Sequence, residues 1–289
     1  MNESGYRSVF RPGLFAGQLH WVTGGGSGIG RCVAHELAAL GATVVVSGRQ
    51  ADKLARVAAE IAEDGGRCET VVLDIRDEEA VKAAVGRVVA EHGPVAGLVN
   101  NAGGQFPAPL LAISKKGFDA VVANNLTGGF LMMREVFLQS MQGTGGAIVN
   151  MTADFRNGMP GMGHSGAARA GMANLTMSAA FEWAHAGVRV NAVAPGWIAS
   201  SGLDRYGPEM KPIIASLAGE VPLRRLGVEA EVSAAIVFLL SPAAAFITGV
   251  TLPIDGGAPL GNQSFPLGRT ARSTPFDGFH RATTPEVLR

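Results

Sequence analysis

A glycine-rich run near the amino terminus has the spacing of a ligand-binding loop. Residues 23–30 read Thr-Gly-Gly-Gly-Ser-Gly-Ile-Gly, and they stand between the apolar run at 19–23 and a stretch with helical periodicity. Glycines let the backbone turn sharply and approach a ligand, and the amino end of the following helix attracts an anion. A tight surface turn is the plainer interpretation. The position between a strand and a helix favours a loop that binds the pyrophosphate of a dinucleotide.

The end of the second apolar run indicates which dinucleotide binds. It reads Val46-Ser47-Gly48-Arg49, at about the 20-residue distance at which an NAD site usually carries an acid for the ribose 2′-hydroxyl. No acid stands there, and Arg49 offers a planar cation that suits a 2′-phosphate. We therefore predict NADP(H) as the cofactor. The alternative is that Arg49 is a solvated residue at the start of a helix.

These segments belong to an alternation of apolar runs and amphipathic stretches that must position them. The runs lie at 19–23, 43–47, 70–73, 95–99, 147–151, 188–193 and 250–254. Helical periodicity between most of them predicts βαβ crossovers, and runs without polar alternation suit a sheet covered on both faces. We predict an α/β fold: a single doubly wound Rossmann-like domain with a parallel seven-stranded sheet over residues 17–258. An arm at 1–16 precedes it, and an extended tail at 259–289 follows over the surface or a neighbouring subunit.

Composition excludes several classes of protein. Of the 289 residues, 47% are hydrophobic and 17% charged, which argues against disorder. The balance of 24 basic and 24 acidic residues, without a basic stripe, argues against a nucleic-acid partner. Two cysteines are too few for a disulfide framework or a zinc site, and no other cluster has metal-ligand spacing. With no signal peptide and no membrane span expected, the chain is predicted to be cytoplasmic.

The order of motifs resembles the short-chain dehydrogenase/reductase family. The matching segments are Thr23-Gly24-x3-Gly28-Ile29-Gly30, Asp74, Asn100-Asn101-Ala102-Gly103, Asn125, Pro195-Gly196-Trp197-Ile198 and Asp255-Gly256-Gly257. In this family Asp74 would contact the adenine ring, and Pro195 to Ile198 would flank the nicotinamide. The resemblance and the loop together imply these cofactor-binding residues: Thr23, Gly24, Ser27, Gly28, Ile29, Gly30, Arg49, Asp74, Asn101, Ala102, Gly103, Arg169, Pro195, Gly196 and Ile198.

The sequence departs from the family at the expected active site. The family has Tyr-x-x-x-Lys with a serine upstream, whereas residues 164–171 read His-Ser-Gly-Ala-Ala-Arg-Ala-Gly. Ser165 thus stands at the tyrosine position, Arg169 at the lysine position, and Thr152 is the upstream hydroxyl. This departure and the Gly-Gly-Gln-Phe at 103–106 resemble the peroxisomal trans-2-enoyl-CoA reductases and their bacterial relatives. Dienoyl-CoA reductases also lack the tyrosine, and some bacterial relatives are associated with terpenoid alcohols and aldehydes such as citronellol.

The missing tyrosine changes which reaction is favoured. Carbonyl reduction leaves an alkoxide, and a positioned acid contributes about 10²–10⁴-fold to such steps. Ser165 is a weak acid, and a guanidinium such as that of Arg169 does not deprotonate in proteins. Reduction of an activated C=C instead spreads charge into an enolate, which hydrogen-bond donors stabilise. Thr152 and Ser165 can be those donors, so we predict ene reduction in preference to ketone reduction.

Two further side chains are candidate proton donors. Histidine can exchange a proton near neutral pH, so His164 is one, although a structural role facing away from the cleft is its alternative. Tyr206 is the other, in a segment at 197–225 where this family builds a substrate lid, and packing within the lid is its alternative. The candidate catalytic residues are Asn125, Thr152, Ser165, Arg169, His164 and Tyr206.

Three functions remain open at this point. The first is an NADPH-dependent reductase of a trans-2-enoyl-CoA or similar activated alkene. The second is an NADP(H)-dependent alcohol/aldehyde or 3-oxoacyl dehydrogenase, and the third is a nucleotide-binding protein that has lost catalysis. The resemblance also implies a small-molecule substrate and a homotetramer, because apolar helices like those expected at 117–142 and 163–187 often form dimer interfaces in this family.

Overall fold

Seven parallel strands form one sheet in the order β3-β2-β1-β4-β5-β6-β9. The computed structural model describes residues 5–207, 210–260, 267–268 and 272–289. The strands are β1 (Leu19–Thr23), β2 (Thr43–Gly48), β3 (Arg67–Val72), β4 (Val95–Asn100), β5 (Gly146–Met151), β6 (Val188–Pro195), β7 (Ile198–Ala199), β8 (Gly227–Val228) and β9 (Thr251–Ile254). Strands β7 and β8 form a separate two-stranded parallel pair. The predicted Rossmann-like α/β fold with a seven-stranded parallel sheet is therefore confirmed.

Helices cover both faces of the sheet. They are α1 (Gly28–Ala39), α2 (Ala51–Glu63), α3 (Glu78–His92), α4 (Lys115–Val122), α5 (Gly128–Val136), α6 (Gln142–Thr144), α7 (Gly163–Trp183), α8 (Lys211–Glu220) and α9 (Glu229–Leu240). Among the helices of the described chain, none is long and apolar enough to cross a membrane.

The sequence of β2 shows why its apolar run has no polar alternation. Val44 and Val46 pack with α1, α2 and α9 on one face, while Val45 packs with α3 and α5 on the other. Successive strand residues point to opposite faces, and both faces are covered, so all three valines are fully buried. The buried sheet holds the carboxyl ends of its strands rigidly at one edge.

The helical segment after β4 is interrupted twice by wider, π-type turns. These lie at Ala123–Thr127, between α4 and α5, and at Phe137–Met141, between α5 and α6. Such turns displace side chains from the regular helical pattern and are frequent at functional sites. The first of them contains Asn125, one of the predicted catalytic residues.

The described parts of both chain ends pack on the outside of the domain. The backbone amide of Arg7 in the arm donates to the carbonyl of Gly278 in the tail at 2.9 Å. Phe279 is buried against Cys32 of α1 and Ala230 of α9. Further along, Val287 and Leu288 pack on an apolar cluster formed by Leu203, Ile214 and Leu217 within the predicted lid segment.

Candidate cofactor cleft and active site

A cleft opens at the carboxyl edge of the sheet, between β1 and β4. These strands are neighbours, and the chain moves outward from them in opposite directions, a point at which open α/β sheets bind ligands. Asn101, just after β4, donates its side-chain amide to the carbonyls of Thr23 at 3.0 Å and Gly24 at 3.2 Å. The Thr23 hydroxyl accepts the backbone N–H groups of Asn101 and Ala102, both at 3.0 Å. These bonds fasten the glycine-rich loop to the end of β4.

The backbone of this edge leaves no room for larger residues. Gly24 has φ of +66°, and a Cβ there would lie 2.9 Å from the Cα of Ala102. A Cβ on Gly103 would lie 2.5 Å from Asn125 Oδ1 and 2.9 Å from a guanidinium nitrogen of Arg169. The cleft therefore presents bare backbone where a pyrophosphate would lie, and this fits the predicted dinucleotide.

Nine of the predicted cofactor residues line one continuous cleft. They are Gly24, Ser27, Gly28, Ile29, Arg49, Asp74, Asn101, Ala102 and Gly103. The other six lie outside this lining: Thr23, Gly30, Arg169, Pro195, Gly196 and Ile198. Thr23 holds the loop as described above, and Pro195 ends β6 while Ile198 pairs with Gly227.

The cleft also has lining residues that the sequence analysis missed. They are Gly26, Ser47, Gly48, Gln50, Lys53, Leu54, Leu73, Ile75, Asn124, Ser200, Ser201 and Gly202. Lys53 is the most informative of them, because it is a second cation beside Arg49 and its Cβ packs against Gly26. Its position, one helical turn after Arg49, was the signal available in the sequence.

Asp74 is fixed by an arginine that the sequence analysis did not single out. Arg76 Nε donates to both carboxylate oxygens of Asp74, at 2.9 and 3.1 Å. This hydrogen bonding, with a smaller contribution from the Arg49 charge, lowers the pKa of Asp74 to about 2. Asp74 is thus a fixed anion and an acceptor at the rim of the cleft, as an adenine amino group requires.

Asn125 ties the loop after β4 to the interrupted helix. Its Oδ1 accepts the N–H of Gly104 at 3.0 Å, and its Nδ2 donates to the carbonyl of the same residue at 2.7 Å. Asn125 is buried. Through this two-way bond the π-type turn positions the segment that continues to Gln105 and Phe106.

Arg169 lies buried beside Asn125 and Gly103. One guanidinium nitrogen donates to the carbonyl of Met151 at 2.7 Å, while Nε is buried without a partner among the described residues. Burial lowers the pKa of Arg169 to about 10, so it is still a cation at neutral pH. An unpartnered buried donor beside the cleft suits a ligand oxygen such as a ribose hydroxyl.

Ser165, Gln105 and Tyr206 form a chain of hydrogen bonds. The fully buried Ser165 donates its hydroxyl to Gln105 Oε1 at 2.6 Å. Gln105 Nε2 in turn donates to the Tyr206 hydroxyl at 3.3 Å. The structure therefore links Tyr206, through Gln105, to Ser165, which stands on α7 where the family has its tyrosine. The sequence analysis used Gln105 only as part of a motif.

The remaining two candidates have their polar atoms engaged differently. The Thr152 hydroxyl donates to the carbonyl of Val193 at 2.7 Å, so its proton is not directed at a substrate. His164 is fully buried, with Nδ1 accepting the N–H of Ser165 at 2.9 Å and its ring edge-on to Phe106. His164 Nε2 has no partner in the described part of the chain.

An acid that the sequence analysis passed over closely follows Thr152 in the sequence. Asp154 follows β5, two residues after Thr152. Burial raises the pKa of Asp154, and the charge of Asp255 raises it further. No three metal-ligating side chains cluster anywhere in the described ranges.

Comparison with known proteins identifies the family. A family model described as enoyl-(acyl carrier protein) reductase matches residues 24–259. The protein belongs to the short-chain dehydrogenase/reductase family. It is accordingly an oxidoreductase, as the order of motifs predicted.

Several curated relatives of this short-chain dehydrogenase/reductase are named 2,4-dienoyl-CoA reductases, and one of them serves as the example. It is the peroxisomal 2,4-dienoyl-CoA reductase, (3E)-enoyl-CoA-producing, of Danio rerio. It is 35% identical over 259 residues, which cover 88% of this chain and 85% of the relative.

Two solved structures have the same fold. A citronellol catabolism dehydrogenase of Pseudomonas aeruginosa PAO1 is 61% identical, with a TM-score of 0.80 over 88% of this chain and 100% of that chain. A Beutenbergia cavernae protein, named as an NAD(P)-dependent gluconate 5-dehydrogenase, carries bound NADP at low occupancy. It is 33% identical, with a TM-score of 0.80 over 86% of this chain and 99% of that one.

Proposed function

We propose that the enzyme is an NADP(H)-dependent reductase of a C=C bond conjugated to a carbonyl, with a trans-2-enoyl thioester as the model substrate. The observation that carries the proposal is the pair of Ser165 and Arg169 at the positions of the family's tyrosine and lysine. Ser165 is buried and donates its hydroxyl to Gln105, and Arg169 is a buried cation. The site thus supplies positive charge from Arg169, which suits an enolate, and it has no acidic residue at position 165.

The cofactor is proposed from the cations at the end of β2. Arg49 and Lys53 both line the cleft, and the strand end has no acid for an unphosphorylated ribose. The relative with bound NADP supports this choice. When bound, NADPH supplies a hydride to the β-carbon of the alkene. The chain's own contribution is to bind it through the glycine-rich loop, with Arg169 beside the active site.

The substrate is proposed to be apolar. Phe106, Leu110 and Leu111 on the segment after β4 are 40%, 72% and 104% exposed, and no charged residue occurs between Gly103 and Ile113. Leu110 packs against Gly163, the first residue of α7, next to the buried His164. An exposed apolar rim at the mouth of a site favours a hydrocarbon chain as ligand.

A second candidate function is a dehydrogenase of a branched alcohol or aldehyde. It is supported by the 61% identity to a protein named a citronellol catabolism dehydrogenase. The phenol of Tyr206, which reaches Gln105, offers the kind of acid that carbonyl chemistry needs. The two candidates share an apolar substrate and differ in the bond that accepts the hydride.

One substrate panel separates these functions. NADPH oxidation is measured with crotonyl-CoA and decenoyl-CoA, and with acetoacetyl-CoA and citronellal, while NADP⁺ reduction is measured with citronellol. We expect turnover of the enoyl thioesters. Turnover of the carbonyl and alcohol compounds alone would favour the second candidate. Tight NADPH binding without turnover of any compound would favour a binding protein that has lost catalysis.

We also propose a homotetramer. Met177 and Phe181 on α7 and Leu138 beyond α5 are 52%, 87% and 55% exposed, so an apolar surface is available for a second copy. Light scattering of the purified protein measures the mass, and Phe181→Glu should reduce it. We place the enzyme in the cytoplasm, because the free thiols Cys32 and Cys68 fit a reducing compartment.

A further inference from the structure

We propose that Tyr206 is the proton donor of the reaction and that Gln105 is the positioning residue that turns its hydroxyl toward the substrate. The inference rests on the proposed function, because it names the acid for the enolate that ene reduction leaves. The two residues come from separate loops, the segment after β4 and the lid, and they meet beside Ser165 at the start of α7.

The direction of the hydrogen bonds carries the argument. Ser165 donates to Gln105 Oε1, so the carboxamide oxygen is occupied and its NH₂ group faces Tyr206. Gln105 Nε2 then donates to the phenol oxygen of Tyr206, which accepts. A hydroxyl that accepts at its oxygen keeps its own proton for another acceptor. Of the two hydroxyl groups, only that of Tyr206 therefore has a proton that no hydrogen bond among the described residues uses.

Neither of the other two hydroxyl groups of the site has this freedom. The Thr152 proton goes to the Val193 carbonyl, and the Ser165 proton goes to Gln105. His164 Nδ1 accepts a backbone N–H, so the neutral ring carries its proton on Nε2, which is buried without a partner among the described residues. His164 Nε2 and the carboxyl group of Asp154 are the competing acids, and the experiment includes both for that reason.

The lid gives Tyr206 a fixed location. Its ring is half-buried and packs on the cluster of Leu203, Ile214 and Leu217. The backbone N–H of Tyr206 donates to the carbonyl of Leu203 at 3.2 Å, which closes a tight turn. Apolar packing of its ring and the hydrogen bond from Gln105 to its hydroxyl thus hold Tyr206 in place.

The proton step balances as follows. When bound, the dihydronicotinamide would supply a hydride to the β-carbon, and the C=C electron pair of the substrate would move into the carbonyl to give an enolate. The O–H bond of Tyr206 breaks, and the enolate pair forms a C–H bond at the α-carbon. The resulting phenolate, stabilised by the N–H of Gln105, regains a proton from water. The net consumption is one NADPH and one proton for each C=C.

The experiment compares variants that differ in hydrogen-bond direction. Tyr206→Phe removes the proton, and we expect kcat to fall by about 10²–10⁴-fold with little change in KM. Gln105→Glu retains the hydrogen bond from Ser165, but its carboxylate cannot donate to Tyr206 and should accept the Tyr206 proton instead. We expect kcat to fall as much as in Tyr206→Phe. Gln105→Met leaves the phenol undirected and should lose less. Tyr6→Phe, at the only other tyrosine, is the matched control.

A purely structural role for Gln105 predicts the opposite order. Glutamate keeps the shape and the bond to Ser165, so Gln105→Glu would then be milder than Gln105→Met. That order, or full kcat in Tyr206→Phe, would overturn the inference. If Asp154→Asn or His164→Gln lost activity while Tyr206→Phe kept it, the acid would be Asp154 or His164 instead.

A readout without substrate keeps this inference separate from the proposed function. Thermal midpoints are measured for Gln105→Met, Tyr206→Phe and the double variant. We expect the double variant to shift by less than the sum of the single shifts, because the two residues share one hydrogen bond. Additive shifts would overturn the inference even if no substrate were turned over. Absence of turnover by the parent enzyme alone would reject only the proposed function.

Discussion

The backbone N–H of Val287, in the last turn of the chain, donates to the carboxylate of Asp204 in the lid at 3.1 Å. The side chains of Val287 and Leu288 pack beside this bond on Leu203, Ile214 and Leu217. Arg225, at the other end of the lid, donates to Ser273 and Thr274 of the tail. The tail therefore contacts the predicted lid segment at two separated places.

Removal of the last five residues should loosen the lid. We expect the chain that ends at Thr284 to bind substrate with a KM raised by about 5- to 30-fold. This corresponds to a loss of about 1–2 kcal/mol in the free energy that favours the closed lid. NADPH affinity should change little. Arg289→Ala is the control, because the Arg289 side chain bonds only to the carbonyl of Thr284 among the contacts described, and its backbone N–H keeps the bond to Glu286. An unchanged KM would show that the lid closes without the tail.

The pH dependence of cofactor binding should report on Glu229. Burial raises the pKa of Glu229 to about 7, against an opposing contribution from Arg31. A carboxylate oxygen of Glu229 lies 3.8 Å from the position that a Cβ on Gly28, in the glycine-rich loop, would occupy. A bound pyrophosphate disfavours a neighbouring carboxylate, so the cofactor binds best when Glu229 is protonated.

The dissociation constant of NADPH should therefore rise as pH increases through about 7, by at most about tenfold per pH unit for one proton. Calorimetry in buffers of different ionisation enthalpy should show proton uptake on binding. Glu229→Gln should remove that uptake and most of the slope, while the cofactor's own phosphate titration stays in both proteins. The same steep slope in Glu229→Gln would contradict the assignment.

Stability should follow the same carboxylate with a defined sign. The folded-state pKa of about 7 exceeds the ordinary value of 4.5, so the folded protein binds more protons between these values. The unfolding free energy then falls as pH rises through this window. We expect Glu229→Gln to unfold at a higher temperature than the parent at pH 8 and to differ less at pH 5.

Cofactor selectivity should depend on both cations after β2. Arg49→Ala should weaken NADPH by about 10- to 100-fold, the range for a lost charge-assisted hydrogen bond of 1.5–3 kcal/mol, and leave NADH nearly unchanged. Lys53→Ala should act in the same direction. The control is Arg56→Ala on the exposed side of α2, where the side chain is 59% exposed. Equal losses for NADPH and NADH would reject the 2′-phosphate site.

The strands could be predicted from sequence because strands that are buried on both faces of a sheet are continuous apolar runs. The run at 43–47 became β2 at Thr43–Gly48, which put Arg49 at the strand end as expected. The exception is β3, which begins at Arg67 rather than at residue 70. Arg67 and Glu69 are exposed, so this edge strand starts with polar residues that only its pairing with β2 makes extended.

The active site was less predictable because its contacts join loops. Gln105 and Ser165 are 60 residues apart and Gln105 and Tyr206 are 101 apart, with no shared periodicity to indicate a contact. Local sequence also gave no sign of the π-type turn at Ala123–Thr127 that turns Asn125 toward Gly104. Residues 208–209 of the lid and 261–266 and 269–271 of the tail lie outside the described residues.

Glu36 holds the amino-terminal arm to the helix layer. This fully buried carboxylate of α1 accepts from the hydroxyls of Ser8 at 2.7 Å and Tyr6 at 3.2 Å, and also from Ser233 of α9. All three donors are neutral hydroxyl groups, and the two carboxylate oxygens of Glu36 accept the hydrogen bonds from all of them.

Glu36→Gln should test that arrangement. The substitution turns one acceptor oxygen into an NH₂ group that faces O–H donors, and it should lower the unfolding free energy by about 1–3 kcal/mol. Chemical denaturation at pH 7 measures the change, and exposed Glu79→Gln on α3 should stay within about 0.5 kcal/mol of the parent. Proteolysis should also cut the arm of Glu36→Gln sooner, because Tyr6 and Ser8 lose their common acceptor. Equal stability and equal cleavage in the two variants would mean that the arm is held by its other contacts, such as the bond from Arg7 to Gly278 and apolar packing.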